Sequence, residues 1–177
     1  MSGLDDLGPA LPRIAREAIQ TQLSSGQRLV VPRQEAPAAP VFVTLRNPDG
    51  SLRGCIGSLV AAERDVARES ARSAVLAATR DPRFPAVTAE ELPGLHIEVS
   101  VLMPEEPVSG ISELDPARYG VVVRDGFGRQ GLLLPDVPGV DDAATQVEIA
   151  RRKAGIEPGE PVMLRRFEVK KFEEPRG

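Results

Sequence analysis

The stretch VFVTLRNPDGSLRGCIGSL, residues 41–59, decides how this chain folds. Val41 to Arg46 reads as a strand, and Ser51 to Leu59 as its returning partner. Between them, Asn47-Pro48-Asp49-Gly50 is a turn with a mechanism. Pro48 presets φ at the second position and Gly50 tolerates left-handed backbone, which fits a type I turn with a bulge.

Working outward, residues 10–23 carry Leu11, Ile14, Ala15, Ala18, Ile19 and Leu23 at helical spacing, with Pro12 in the first turn and Gly26 as a stop. Gln34 to Pro40 reads as a loop. After the hairpin, Ala61 to Arg80 is a second helix with a stripe of small residues, from Val66 and Ala67 to Ala78. Its charged residues, Glu69 and Arg72 among them, lie off that stripe, and Glu69–Arg72 is an i,i+3 pair. Asp81-Pro82 ends the helix. Leu95 to Leu102 alternates, so Leu95, Ile97, Val99 and Val101 face one way and His96, Glu98, Ser100 and Leu102 the other.

Gly120 to Arg124 and Gly131 to Leu134 flank Asp125-Gly126-Phe127-Gly128, a second hairpin signal. Asp141 is the expected cap of a third helix running to Ala154, with Gly155 just past its end. Val162 to Phe172 is the expected final strand. The order lacks regular βαβ alternation and contains two hairpins. It predicts an α+β fold, a mostly antiparallel sheet with flanking helices.

Composition sets outer limits. At 177 residues, with 41% apolar and 27% charged residues, the chain is one ordinary domain or two small lobes sharing a core. Its one cysteine, Cys55, excludes an internal disulfide. Its one histidine, His96, excludes a zinc site built from several His or Cys ligands, and no loop has EF-hand spacing, so no metal site is expected. The formal net charge of −4 argues against a phosphate-backbone binder, so no nucleic-acid partner is expected. No apolar run reaches ~18 residues, so no membrane span is expected. The N-terminal MSGLDDLGPALPR lacks a basic region before an apolar core, and a cytoplasmic location is the expectation.

The chemistry concentrates in Leu52-Arg53-Gly54-Cys55-Ile56-Gly57. On a strand, Arg53 and Cys55 share a face, about 6.6–6.8 Å apart. A guanidinium at that range favours the thiolate and lowers the cysteine pKa. Gly54 and Gly57 clear space beside the sulfur, and the amides of Ile56 or Gly57 are candidate oxyanion donors. The competing reading makes Cys55 a small buried apolar residue and the glycines bulge formers. His96 is the sole imidazole available as a base, with Glu98 on its face, or else a solvated histidine. In Asp81-Pro82-Arg83-Phe84-Pro85, two prolines fix a loop that presents Arg83 to an anion. The alternative is a local cap at Asp81, a core plug at Phe84 and a solvated Arg83.

These residues carry a family resemblance. Phe42-Val43-Thr44-Leu45 with Leu52-Arg53-Gly54-Cys55-Ile56-Gly57 resembles the signature of the AMMECR-one family. Asp81-Pro82-Arg83-Phe84-Pro85, Glu91-Leu92, Val99-Ser100-Val101-Leu102, Gly131-Leu132-Leu133-Leu134-Pro135 and Lys153-Ala154-Gly155 follow in the family's order, with Phe167 and Phe172-Glu173 behind them. The resemblance spans about residues 10–174. It implies a single domain with two unequal lobes around a cleft near the cysteine motif. It implies kinship with component A of the AmmeMemoRadiSam set, whose companions are a Memo-like protein and a radical S-adenosylmethionine protein. It names no settled reaction and no cofactor.

Residue by residue, Arg53, Gly54, Cys55, Gly57, Asp81, Arg83 and Phe84 match characteristic positions, whereas His96 and Glu98 match none. The Gly-Trp-Asp often found after the Pro135 position is Gly139-Val140-Asp141 here, without the tryptophan. The resulting expectation is a ligand or catalytic cleft. In it Cys55 and Arg53 do the chemistry, and Gly54, Ile56, Gly57, Asp81, Arg83 and Phe84 bind ligand. The rival expectation is a non-enzymatic adaptor for the two companion proteins.

Overall fold

The structure, a computed structural model, describes residues 2–175. It has two compact units. The first comprises residues 2–102 and 170–175, and the second residues 103–169. Both are antiparallel sheets carrying helices on a face, the α+β architecture expected from the hairpins.

In the first unit, β1 (Val41–Arg46) and β2 (Leu52–Gly57) form the predicted hairpin. Gly50 donates its N–H to the Asn47 carbonyl at 2.8 Å, and its φ of 85° explains why glycine stands there. The ladder then slips by one residue. Leu45 faces Gly54 while Arg46 faces Leu52, so Arg53 is the extra residue of a bulge. On its other side β1 pairs with β3 (His96–Leu102), and the sheet order is β2-β1-β3-β8, with β8 at Val169–Glu173.

The alternation read in the sequence holds. Val41, Val43 and Leu45 of β1 and Ile97, Val99 and Val101 of β3 are fully buried beneath α2 (Leu11–Ser25) and α3 (Val66–Thr79). Each such valine or leucine contributes roughly 1.5–3 kcal/mol by leaving water. α3 approaches β2 closely because Gly54 has no side chain. A Cβ there would run into the Ala77 carbonyl. A short α1 (Ser2–Leu7), not foreseen from the sequence, is tied to β8 by an ion pair between Lys170 and Asp5.

The second unit has sheet order β4-β7-β5-β6, built from β4 (Glu106–Val108), β5 (Gly120–Arg124), β6 (Gln130–Leu133) and β7 (Met163–Phe167). Its core joins Val121, Val123 and Leu133 to Val147 and Ala150 of α4 (Ala143–Ala154). Among the described residues, no helix is long and apolar enough to cross a membrane.

Several boundaries differ from expectation. The second helix starts at Val66, not Ala61, because the Asp65 side chain accepts the Arg68 N–H and caps it there. Glu69, expected off the buried stripe, is buried, and its carboxylate accepts the amides of Ala62 and Glu63 at 2.8 Å. Asp142 rather than Asp141 caps α4. The single final strand is two, β7 and β8, broken at Glu168 and belonging to different sheets. β4 is too short, at three residues, to show a periodicity.

Candidate functional site

β2 is an edge strand, and its outer backbone groups need partners. At Cys55 both are met by the segment that follows α3. The Asp81 carboxylate accepts the Cys55 N–H at 2.9 Å, and Arg83 Nη2 reaches the Cys55 carbonyl at 3.4 Å. Asp81 in turn binds Arg83 three times, through its backbone N–H and Nε at 3.0 Å and Nη2 at 2.8 Å. The buried carboxylate is thus held ionised. The Arg83 guanidinium hydrogen bond outweighs the burial and, with the two amides, drives its pKa far below the usual carboxylate range. Arg83 also lies over the Phe84 ring, 5.6 Å from its centre. Its side chain remains 56% exposed.

Because the Cys55 backbone turns outward, strand alternation turns the Ile56 amide inward to the ladder, and leaves that of Gly57 on the outer edge. Of the two expected oxyanion donors, the Ile56 amide is therefore taken. The same geometry makes Thr44 and Cys55 a close, non-hydrogen-bonded pair of the ladder. The Thr44 hydroxyl donates to Sγ at 3.3 Å. Thr44 also faces Glu98 on β3, so Cys55, Thr44 and Glu98 stand level across three strands, on the face opposite the helices.

The thiol pKa goes up, not down. Burial is the dominant cause, aided by the negative charges of Asp81 and Glu98 and opposed by the Thr44 hydrogen bond and the Arg83 charge. The expected activation by Arg53 is absent. The buried Arg53 guanidinium is bound by the Glu91 carboxylate at 3.0 and 3.2 Å and by the Pro85 carbonyl at 3.0 Å. The cation that acts on the sulfur is Arg83. Arg53 instead fastens the segment between α3 and β3 to the bulge of β2. Gly57 serves packing, since a Cβ there would meet the Phe42 ring and the Val41 carbonyl. Phe84 is half-buried beside Arg83.

His96 stands apart from the sulfur. It faces Arg46, two residues along the sheet from the Cys55 level, and β1 separates the two strands. Its Nε2 lies 3.3 Å from the Glu173 carboxylate. The Cys55–His96–Glu98 arrangement weighed from the sequence is therefore not assembled, and only Glu98 reaches the Cys55 level. Two participants were missed in the sequence. Both lie in motifs of the resemblance, Thr44 in Phe42-Val43-Thr44-Leu45 and Glu91 in Glu91-Leu92, without a role being read for either. Glu91 had a second signal: Thr88 and Glu91 form a capping box, the Glu91 carboxylate accepting the Thr88 N–H at 2.8 Å and the Thr88 hydroxyl accepting the Glu91 N–H at 3.3 Å.

Comparison with known proteins follows the same framework. A Thermotoga maritima protein is 50% identical over 135 residues, covering 76% of this chain and 77% of its own. A Thermococcus gammatolerans protein is 38% identical, covering 98% and 94%. The chain spans only 35% of a Clostridium acetobutylicum relative that is 37% identical. The crystal structure of an uncharacterised protein from Pyrococcus horikoshii superposes with a TM-score of 0.85 at 33% identity, covering 96% of this chain and 92% of that one. The AMMECR1 (AMMECR-one) family model matches residues 12–174, from α2 through the cysteine strand and the Asp81–Arg83 clamp to the end of β8. The chain belongs to the AMMECR1 family.

Proposed function

We propose that this AMMECR1 protein is a recognition component, and that the Cys55 face binds an anionic group without nucleophilic use of the thiol. One observation carries this reading. The buried Asp81 carboxylate locks Arg83 through its backbone, Nε and Nη2, so the half-exposed guanidinium is fixed before any ligand arrives, with Nη1 as its remaining donor. The raised pKa of Cys55 supports the same conclusion, since a protonated thiol is a weak donor and a poor nucleophile at neutral pH. Arg53, Gly54 and Asp81 act in this reading as positioning residues, and Arg83, Phe84 and Cys55 meet the ligand.

A recognition component needs something to serve. The family resemblance supplies the partners of this proposal, a Memo-like protein and a radical S-adenosylmethionine protein. Alkylation of Cys55 by iodoacetamide against pH, together with co-purification of the two companions on wild-type, Cys55→Ser and Arg83→Gln chains, tests it. The expected result is a labelling midpoint above about 8.5, the value for a free thiol, and complexes that survive Cys55→Ser but not Arg83→Gln. A midpoint well below that value, with partner activity abolished by Cys55→Ser, overturns it in favour of a nucleophilic cysteine.

A further inference from the structure

Well away from the Cys55 face, α2 and α3 leave a partly enclosed groove of about 590 Å³ between them. That is within the ~300–1,000 Å³ of small-molecule sites. Ala18 on α2 and Ala71, Val75 and Leu76 on α3 give it apolar walls, and residues 28–31 border it as a strap. The strap is pinned at both ends. Arg28 pairs with Glu63 at 2.8 Å, and Arg68 Nε donates to the Val31 carbonyl at 3.2 Å. Between the pins Val30 lines the groove yet is 88% exposed, an apolar side chain the fold leaves uncovered.

Two guanidiniums one turn apart on α3, Arg68 and Arg72, line the same groove. Each is backed by a buried carboxylate at a distance too long for a hydrogen bond. Arg68 Nε is 3.5 Å from Asp65 Oδ2, and Arg72 Nη1 is 3.6 Å from Glu69 Oε1. Both oxygens are buried without a hydrogen-bond partner. The carboxylates therefore hold the arginines by charge without using up their donors. A planar guanidinium fork with donors to spare matches a carboxylate in geometry. The local charge narrows the choice. Arg28, Arg68 and Arg72 are balanced by Glu63, Asp65 and Glu69, so a doubly charged phosphate finds no net positive field, whereas a single carboxylate on an apolar body suits both the forks and the walls.

We infer that this groove is a binding site, separate from the Cys55 face, for a monocarboxylate with a medium-length alkyl chain. Arg68 and Arg72 hold the head group, and the chain lies along Ala18, Ala71, Val75 and Leu76 beside the strap.

The test uses the full chain with octanoate, octanol and inorganic phosphate as probes, titrated calorimetrically. Octanoate is expected to bind at least tenfold more tightly than octanol, and phosphate not to compete. Arg72→Gln should erase the octanoate–octanol difference. Ala71→Leu, which fills the groove, should weaken octanoate at least tenfold while the thermal melt stays cooperative. Phosphate displacing octanoate, octanoate binding no better than octanol, or full-strength octanoate binding by folded Ala71→Leu protein would each overturn the assignment.

Discussion

The Asp81 carboxylate accepts the backbone N–H of Cys55 at 2.9 Å, so the chain's single cysteine is gripped by its main chain as well as by its sulfur. The outer N–H of an edge strand is thereby taken by a side chain that also fixes Arg83. Asp81→Ala leaves that buried amide and Arg83 without their acceptor and should cost about 2 kcal/mol, within the range for charge-assisted hydrogen bonds. Urea denaturation reads the loss directly. Asp81→Asn should cost less, because an amide oxygen still accepts from Cys55.

The sign of the pH effect follows from the depressed pKa values of Asp81 and of Glu91, the latter lowered first by its hydrogen bond to Arg53. Groups with depressed pKa values contribute stability fully above their unfolded values, about 3.9 for Asp and about 4.3 for Glu. That contribution is lost as pH falls through the folded values. The stability gap between wild type and Asp81→Asn should thus be flat from pH 8 to pH 5 and shrink below about pH 4. A gap that changes between pH 6 and 8 would point to another group.

The Cys55 thiol should respond to two of its three charged neighbours, Glu98 and Arg83, in opposite directions. Glu98 pushes its pKa up and Arg83 pulls it down. Glu98→Gln should therefore shift the alkylation midpoint to lower pH, and Arg83→Gln to higher pH. Arg53→Lys should leave the midpoint in place, because Arg53 is committed to Glu91.

Arg53→Lys should instead appear in stability. Lysine cannot reproduce the bidentate fork to Glu91 or reach the Pro85 carbonyl with the same geometry. Lysine keeps the charge, so what is lost is charge-assisted hydrogen bonding, roughly 1.5–3 kcal/mol. Glu91 is partly exposed, so a loss near the low end, about 1.5 kcal/mol, is expected in equilibrium unfolding.

Gly54→Ala places a methyl against the Ala77 carbonyl, a backbone atom that cannot move without shifting α3. Overpacking of this kind typically costs ~1–3 kcal/mol. Hydrogen exchange should show the loosening first in the amides at the C-terminal end of α3. Unchanged exchange there would mean that the helix accommodates the methyl.

Much of this architecture is legible in the residues. The Asn47-Pro48-Asp49-Gly50 turn, the alternation of β3 and the glycine after α4 are local signals, and each formed where its chemistry requires. The site was legible as a place but not as a set of contacts. Cys55, Asp81 and Arg83 do meet, yet Arg53 departs to Glu91, because partner choice among charged side chains is settled in three dimensions; the turn and the glycines signal a bulge, but not that Arg53 is its extra residue. Glu69 shows the same limit. A buried acid looks like a surface one until the two amides it satisfies are folded against it.

The break at Glu168 has a consequence for synthesis. β7 completes one sheet and β8, one residue later, supplies an edge strand to the other, which is otherwise built from residues before position 103. As the chain emerges from the ribosome its first hairpin, its helices and β3 are all available early. The β3 edge nevertheless stays unpaired until β8 has been made and has cleared the exit tunnel, and Arg16 waits equally long for Glu174. The first sheet therefore cannot close until the whole second unit has been synthesised, and a stop codon anywhere before β8 leaves an open strand edge exposed to neighbouring chains.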